Sequence, residues 1–115
     1  MVSEPLIVDQ EAPGVLRLRG PLTTENVPSF QNAVRRDLSP TVFLDLTDVP
    51  YMDSAGLGSL VSAYISRQKN GQRVVLAGVN DRVLKLFEIT RVEPLFLIFP
   101  SIGDALAALL NSGRA

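Results

Sequence analysis

Three short, continuous apolar runs, TVFLDL at 41–46, RVVLAGV at 73–79 and LFLIF at 95–99, constrain this chain more than any other feature it has. Each is too brief for a helix, and its β-branched and aromatic content suits a strand covered on both faces. Helical patterns separate them. Leu57, Leu60, Val61, Tyr64 and Ile65 form one apolar stripe with Ser59, Ser62, Ser66 and Arg67 on the other side, and Asn70-Gly71 supplies a stop. DRVLKLFEI turns Val83, Leu84 and Phe87 inward, and Ser101 and Asp104 have capping-box spacing ahead of Ala105, Leu106, Leu109 and Leu110. Strands joined by single helices require parallel, right-handed crossovers.

Upstream, LIV at 6–8 and VLRLRG at 15–20 flank a Pro13-Gly14 turn, and Leu16 and Leu18 alternate with Arg17 and Arg19. This predicts a hairpin with one wet face. Beyond Pro21, Val27, Phe30, Val34 and Leu38 recur at helical spacing, with Pro28 in the first turn and Ser39-Pro40 at the end. Thr23 and Thr24 are placed to cap this helix, with a rim position beside Ser54 as their other reading; Asn80 and Asp81 are placed to cap the third helix. The predicted order is β-β-α-β-α-β-α-β-α, an α/β sandwich with a mixed sheet. Residues 1–115 are expected to form a single domain, with frayed ends such as the polar tail NSGRA.

Composition narrows the chemistry. With no cysteine and no histidine, disulfides, thiolate nucleophiles, the commonest zinc ligands and the usual base of a serine hydrolase are all missing. A net charge of -1 and scattered arginines offer no field for a nucleic-acid backbone. No apolar run approaches the roughly 20 residues of a spanning helix, and the acidic N-terminus lacks the basic flank of a signal peptide, so the expectation is a cytoplasmic chain without direct membrane insertion. Asp45 and Asp48, without further ligands, read as turn and cap residues rather than a metal pair. No cofactor is expected.

The stretch PYMDSAGLGSL, at 50–60, sets Asp53 and Ser54 where an apolar strand gives way to a helix. Unpaired N–H groups and the positive end of the helix dipole favour oxygen there, so one of the two residues serves as a cap. Gly56 and Gly58 nonetheless fall inside the first turns, where each costs about 1 kcal/mol relative to alanine. Small residues would leave the helix start flat and open to another surface. They do not form a dinucleotide fingerprint, because the third glycine is missing.

LDLTDVPYMDSAGLGSLVSAY resembles the signature of STAS domains, the fold shared by bacterial anti-sigma-factor antagonists and the cytosolic tails of sulfate transporters. VLRLRGPL resembles the family's early strand and Gly-x-Leu turn, and NGQRVVLAGVNDRVLKLFEIT its second half, so the likeness spans nearly the whole chain. By that resemblance Ser54 corresponds to the serine phosphorylated by a partner anti-sigma kinase. Asp53, Ser54, Ala55, Gly56, Leu57 and Gly58 would form the partner-binding surface, with Thr23, Thr24 and Asn80 around it. Thr23 and Pro21 stand where relatives often carry acids, Ala55 replaces a second hydroxyl found in some, and EITRVE lacks their Ser-Gly pair.

The resemblance implies a non-enzymatic switch: binding to an anti-sigma factor with serine kinase activity releases a sigma factor, phosphorylation of Ser54 ends the binding, and a serine phosphatase is a further partner. A nucleophilic Ser54 would need Lys69 or Lys85 as its base, and both are predicted to lie far from the junction. A non-switching scaffold subunit of a membrane transport complex is the alternative within the same fold.

Overall fold

The computed structural model describes residues 4–112; of the ends expected to fray, residues 1–3 and 113–115 lie outside the described residues, while Asn111 and Ser112 of the tail NSGRA belong to the last helix. Five strands, β1 (Ile7–Ala12), β2 (Val15–Arg19), β3 (Thr41–Asp48), β4 (Arg73–Ala77) and β5 (Leu97–Phe99), lie side by side in chain order. The helices are α1 (Val27–Arg36), α2 (Ser54–Lys69), α3 (Asp81–Ile89) and α4 (Ile102–Ser112). β1 and β2 form the expected antiparallel hairpin around Pro13-Gly14, and every later pair is parallel. The element order read from the sequence is the one observed.

A sheet that steps steadily in one direction through right-handed crossovers deposits successive helices on the same face. Phe30 and Val34 of α1, Leu57 and Leu60 of α2, and Val83 and Phe87 of α3 accordingly share one core with Leu16, Leu18, Leu44 and Leu76 of the strands. α4 returns across the opposite face, where Ala105, Ile102 and Leu106 pack on Phe43, Val75 and Ala77. The centres of β3 and β4, residues 42–44 and 74–77, are therefore continuously apolar because both faces are covered there. Val15 of β2 joins this second cluster beneath α4, and farther along β2 Arg17 pairs with Asp48 and Arg19 with Asp9. The Asp48 carboxylate, first by hydrogen bonding and then by its charge, raises the Arg17 pKa.

Three expectations need correction. α1 stops at Arg36 rather than running to Ser39, and Leu38 is 83% exposed. The Asp37 carboxylate accepts from the Gly14 amide (2.7 Å), Gln10 Nε2 (2.7 Å) and the Ser39 amide (2.9 Å), and these bonds accompany an extended backbone at Asp37 that ends the helix. β5 begins at Leu97, because Glu93–Leu95 forms a 3-10 turn around Pro94. Phe96 then turns inward, its ring 5.3 Å from that of Phe87 and 5.5 Å from that of Tyr64, while Leu97 on the edge strand stays exposed.

The third correction concerns the polar side assigned to α2. Ser59 and Arg67 are buried, at 6% and 7% exposure. Arg67 donates to the carbonyls of Val34, Asp37 and Ser39, so it satisfies the orphan acceptors at the C-terminus of α1. Ser59 Oγ donates to the Gly56 carbonyl at 2.7 Å. Beyond Arg67, α2 ends as expected at Asn70-Gly71: the Gln72 amide donates to the Arg67 carbonyl and the Gly71 amide to that of Gln68, with Gly71 at φ 74.

Candidate functional site

The carboxyl ends of β2, β3 and β4 open onto three loops, and two side chains tie these loops together. Asp53 is the N-cap of α2. Its Oδ1 accepts from the Gly56 amide at 2.8 Å, while Oδ2 accepts from the Thr24 amide at 2.9 Å and from Thr24 Oγ1 at 3.1 Å. One carboxylate thus caps a helix and fixes the loop after β2. The Gly56 amide most of all, with the Thr24 donors adding to it, holds the Asp53 carboxyl below its ordinary pKa against the opposing effect of desolvation. Asp53 is therefore charged at neutral pH.

Asn80 does similar work on the other side. Its Oδ1 caps α3 by accepting from the Val83 amide at 2.8 Å, and its Nδ2 donates to the carbonyls of Val49 and Pro50 at 3.0 and 3.3 Å. The segment leading to Ser54 is held from both flanks. Asp53 also donates its amide to the Leu22 carbonyl, and Leu22 donates its own to Tyr51.

The two glycines of Gly-Leu-Gly serve different ends. A Cβ on Gly56 would stand 1.9 Å from the Leu22 carbonyl oxygen, so α2 can cross that loop only with no side chain at this position. A Cβ on Gly58 would meet nothing within 4 Å. Gly56 is therefore explained by a contact inside the fold, whereas no contact within the described residues accounts for Gly58.

Ser54 is the first residue of α2 and is exposed, and its hydroxyl makes no hydrogen bond among the described residues, because Asp53 has taken the capping role. Ala55 and Gly58 are exposed beside it, Asp53 is half-buried, and Thr24 is exposed. Gly56 and Leu57 are buried, so these two members of the predicted binding surface belong to the interior. Thr23 is the N-cap of the 3-10 turn Thr24–Asn26 that runs into α1; its carbonyl accepts from the Asn26 and Val27 amides, though its side chain makes no cap bond. The N-cap of α1 itself is Asn26, also without a side-chain cap bond, and Thr24 is bound to Asp53 instead. The rim alternative describes Thr24 better. Asp45 accepts from the amide and hydroxyl of its near neighbour Thr47, and among the described residues no group of three or more potential ligands could hold a metal ion.

Sequence reasoning missed a patch adjoining this site. Tyr51, Met52, Arg82, Lys85, Leu86 and Ile89 line a groove of about 240 Å³ between the loop before α2 and the outer side of α3. Ile89, outside the inward set Val83, Leu84 and Phe87, was the available signal.

A mixed five-stranded sheet with three helices on one face and a fourth on the other defines an α/β sandwich, with an exposed serine where α2 begins at the strand ends. The family model for the STAS domain matches residues 4–105, and the chain belongs to that family. It is 32% identical to an anti-sigma-B factor antagonist of Staphylococcus aureus over 83 residues, 70% of this chain and 77% of that protein. Its fold is similar to an anti-sigma factor antagonist from Mycobacterium paratuberculosis (TM-score 0.77, 22% identity, 95% of this chain and 99% of that one). It is equally similar to a sulfate transporter family protein from Wolinella succinogenes (TM-score 0.78, 21% identity, 93% and 99%). Among the described residues no helix is long and apolar enough to cross a membrane.

Proposed function

We propose that this chain is an anti-sigma-factor antagonist that works by partner switching. Its unmodified Ser54 face binds an anti-sigma factor with serine kinase activity and so releases a sigma factor. Phosphorylation of Ser54 ends the binding, and a serine phosphatase restores it. One observation carries this reading: the Ser54 hydroxyl is exposed at a helix start and has no structural duty, since its neighbour Asp53 performs the cap.

The physics of the switch follows from that division of labour. A phosphate adds about -1.5 to -2 charge, and it would stand next to a carboxylate that is itself held ionised. The positive end of α2 can accept the new anion without unfolding, while a docked acidic or apolar surface meets both added bulk and concentrated negative charge. The family relationship to proteins named anti-sigma-B factor antagonists supports the identity of the partner class.

The test is a binding assay with wild type, Ser54→Ala and Ser54→Asp, paired with mass spectrometry after incubation with the kinase and ATP. Wild type and Ser54→Ala should bind, Ser54→Asp should not, and the phosphate should map to Ser54. Phosphate found only elsewhere, or equal affinity for Ser54→Asp, would overturn the switch. The fold likeness to a sulfate transporter family protein motivates a second reading, a non-switching scaffold in a membrane transport complex. That reading expects co-purification with a permease or ATPase and indifference to Ser54→Asp.

A further inference from the structure

We infer that the groove between Tyr51 and α3 is the second half of the docking surface, and that it receives an apolar side chain flanked by carboxylates on the anti-sigma factor. This inference rests on the partner proposed above and adds to it the chemistry the partner must present.

The groove has an apolar interior and a cationic rim. Met52 is buried, Leu86 is half-buried, and Ile89 is 68% exposed. Arg82 and Lys85 are exposed, a helical turn apart on α3, and neither belongs to an ion pair among the described residues. The acidic residues of α3, Asp81 and Glu88, do not line the groove. Helix stability does not account for Arg82, because a cation in the first turn opposes the helix dipole. Its guanidinium stands 5.0 Å from the centre of the Tyr51 ring, which orients it without neutralising it. A large exposed isoleucine one helical turn beyond two unpaired cations on the same helix is complementary to an acidic segment with an apolar anchor, for instance one face of an amphipathic helix.

The groove is continuous with the Ser54 site. Tyr51 precedes Ser54 by three residues, so at most about 11 Å of backbone separates the groove wall from the hydroxyl. Tyr51 and Met52 are themselves fixed to the loop after β2 through Leu22, by a backbone hydrogen bond and a parallel bridge. A partner spanning both features would read the cationic groove and the serine together. Its carboxylates, attracted by Arg82 and Lys85, would be the groups that a phosphate on Ser54 repels.

The experiment is isothermal titration of the anti-sigma factor encoded in the same genome into wild type, Arg82→Glu/Lys85→Glu, Ile89→Asp and Ser54→Asp, at low and high salt. All substituted residues are exposed, and circular dichroism checks that each variant folds. The double reversal should weaken binding at least tenfold and remove most of its salt dependence, and Ile89→Asp should weaken it at both salt concentrations. Reversing the partner's acidic residues to lysine should restore binding to the double variant. Unchanged affinity in the groove variants, with binding still lost in Ser54→Asp, overturns the groove and leaves the switch standing. Failure of wild type to bind removes both. Self-association lost in Ile89→Asp, or binding to anionic phospholipid vesicles lost in the double variant, with no effect on the anti-sigma factor, would assign the groove to a second copy or a lipid surface and overturn the inference.

Discussion

At its N-terminus α2 is fastened by a carboxylate and a bare backbone contact, whereas at its C-terminus a buried guanidinium does the fastening. Asp53 and Gly56 together bring the helix start against the Leu22–Thr24 loop, and they leave Ser54, Ala55 and Gly58 uncovered. Arg67 spends its donors on three carbonyls at the end of α1, so the charge is hidden and the helices are joined. The difference teaches which polar groups are available for function. Arg67 looks like a surface residue and is structural; Ser54 looks like a cap and is unoccupied.

Gly56→Ala should produce the largest effect, because the new Cβ would collide with rigid backbone, the Leu22 carbonyl, rather than with a side chain that can swing away. We expect a loss of about 3 kcal/mol, or a fall in Tm of roughly 12 °C, measured by thermal denaturation. Gly58→Ala on the open side of the same turn should instead leave stability unchanged or raise it by up to about 1 kcal/mol. Equal behaviour of the two glycines would break the distinction between a packed and an open side of the helix start.

Arg67→Met tests the opposite end. Methionine fills similar space but orphans the carbonyls of Val34, Asp37 and Ser39; Val34 and Asp37 line an open crevice from which water can partly replace the lost donors. The expected loss is about 2 kcal/mol by chemical denaturation, with partner binding unchanged in the folded protein. Unchanged stability would show that the guanidinium is dispensable at this end of the helix.

These contrasts also explain what could be read in advance. The order of elements was legible because β3, β4 and β5 each lie in a compact apolar run, and continuous apolarity has few other uses in a short segment. The Asp53-Ser54 junction was legible because capping is local chemistry, decided within one turn. Other features depend on parts of the chain that meet only in the folded molecule. Arg67 and Ser59 are buried because α1 lies beside them, and Leu38 escapes the core because Asp37 bonds to Gly14 and Gln10 across the hairpin. Gly56 needs its bare backbone for a carbonyl that arrives from the loop after β2. The groove on α3 escaped notice for the same reason: Tyr51 and Arg82 come from different elements, and only their stacking reveals a cationic rim.

Asp53→Ala should have the smallest of the main destabilising effects, and its pH dependence identifies the charged form as the fastener. Truncation removes the cap and the Thr24 bonds, so the expected loss at pH 7 is about 1–2 kcal/mol. The folded chain holds the Asp53 carboxyl below its ordinary value, so the unfolded state takes up this proton first as pH falls. The stabilisation is complete above the unfolded pKa of about 3.9 and is lost as pH drops through the lower, folded value. The gap between wild type and variant, followed by urea denaturation at several pH values, should therefore be constant from pH 7 to about 5 and close on acidification. Asp37, whose carboxyl is pushed up by burial but more strongly lowered by bonds from Ser39, Gln10 and Gly14, contributes to both chains and cancels from the gap. A gap that widens in acid would mean that the protonated side chain does the fastening. The ionised neighbour on which repulsion of a phosphorylated Ser54 partly depends would then be missing.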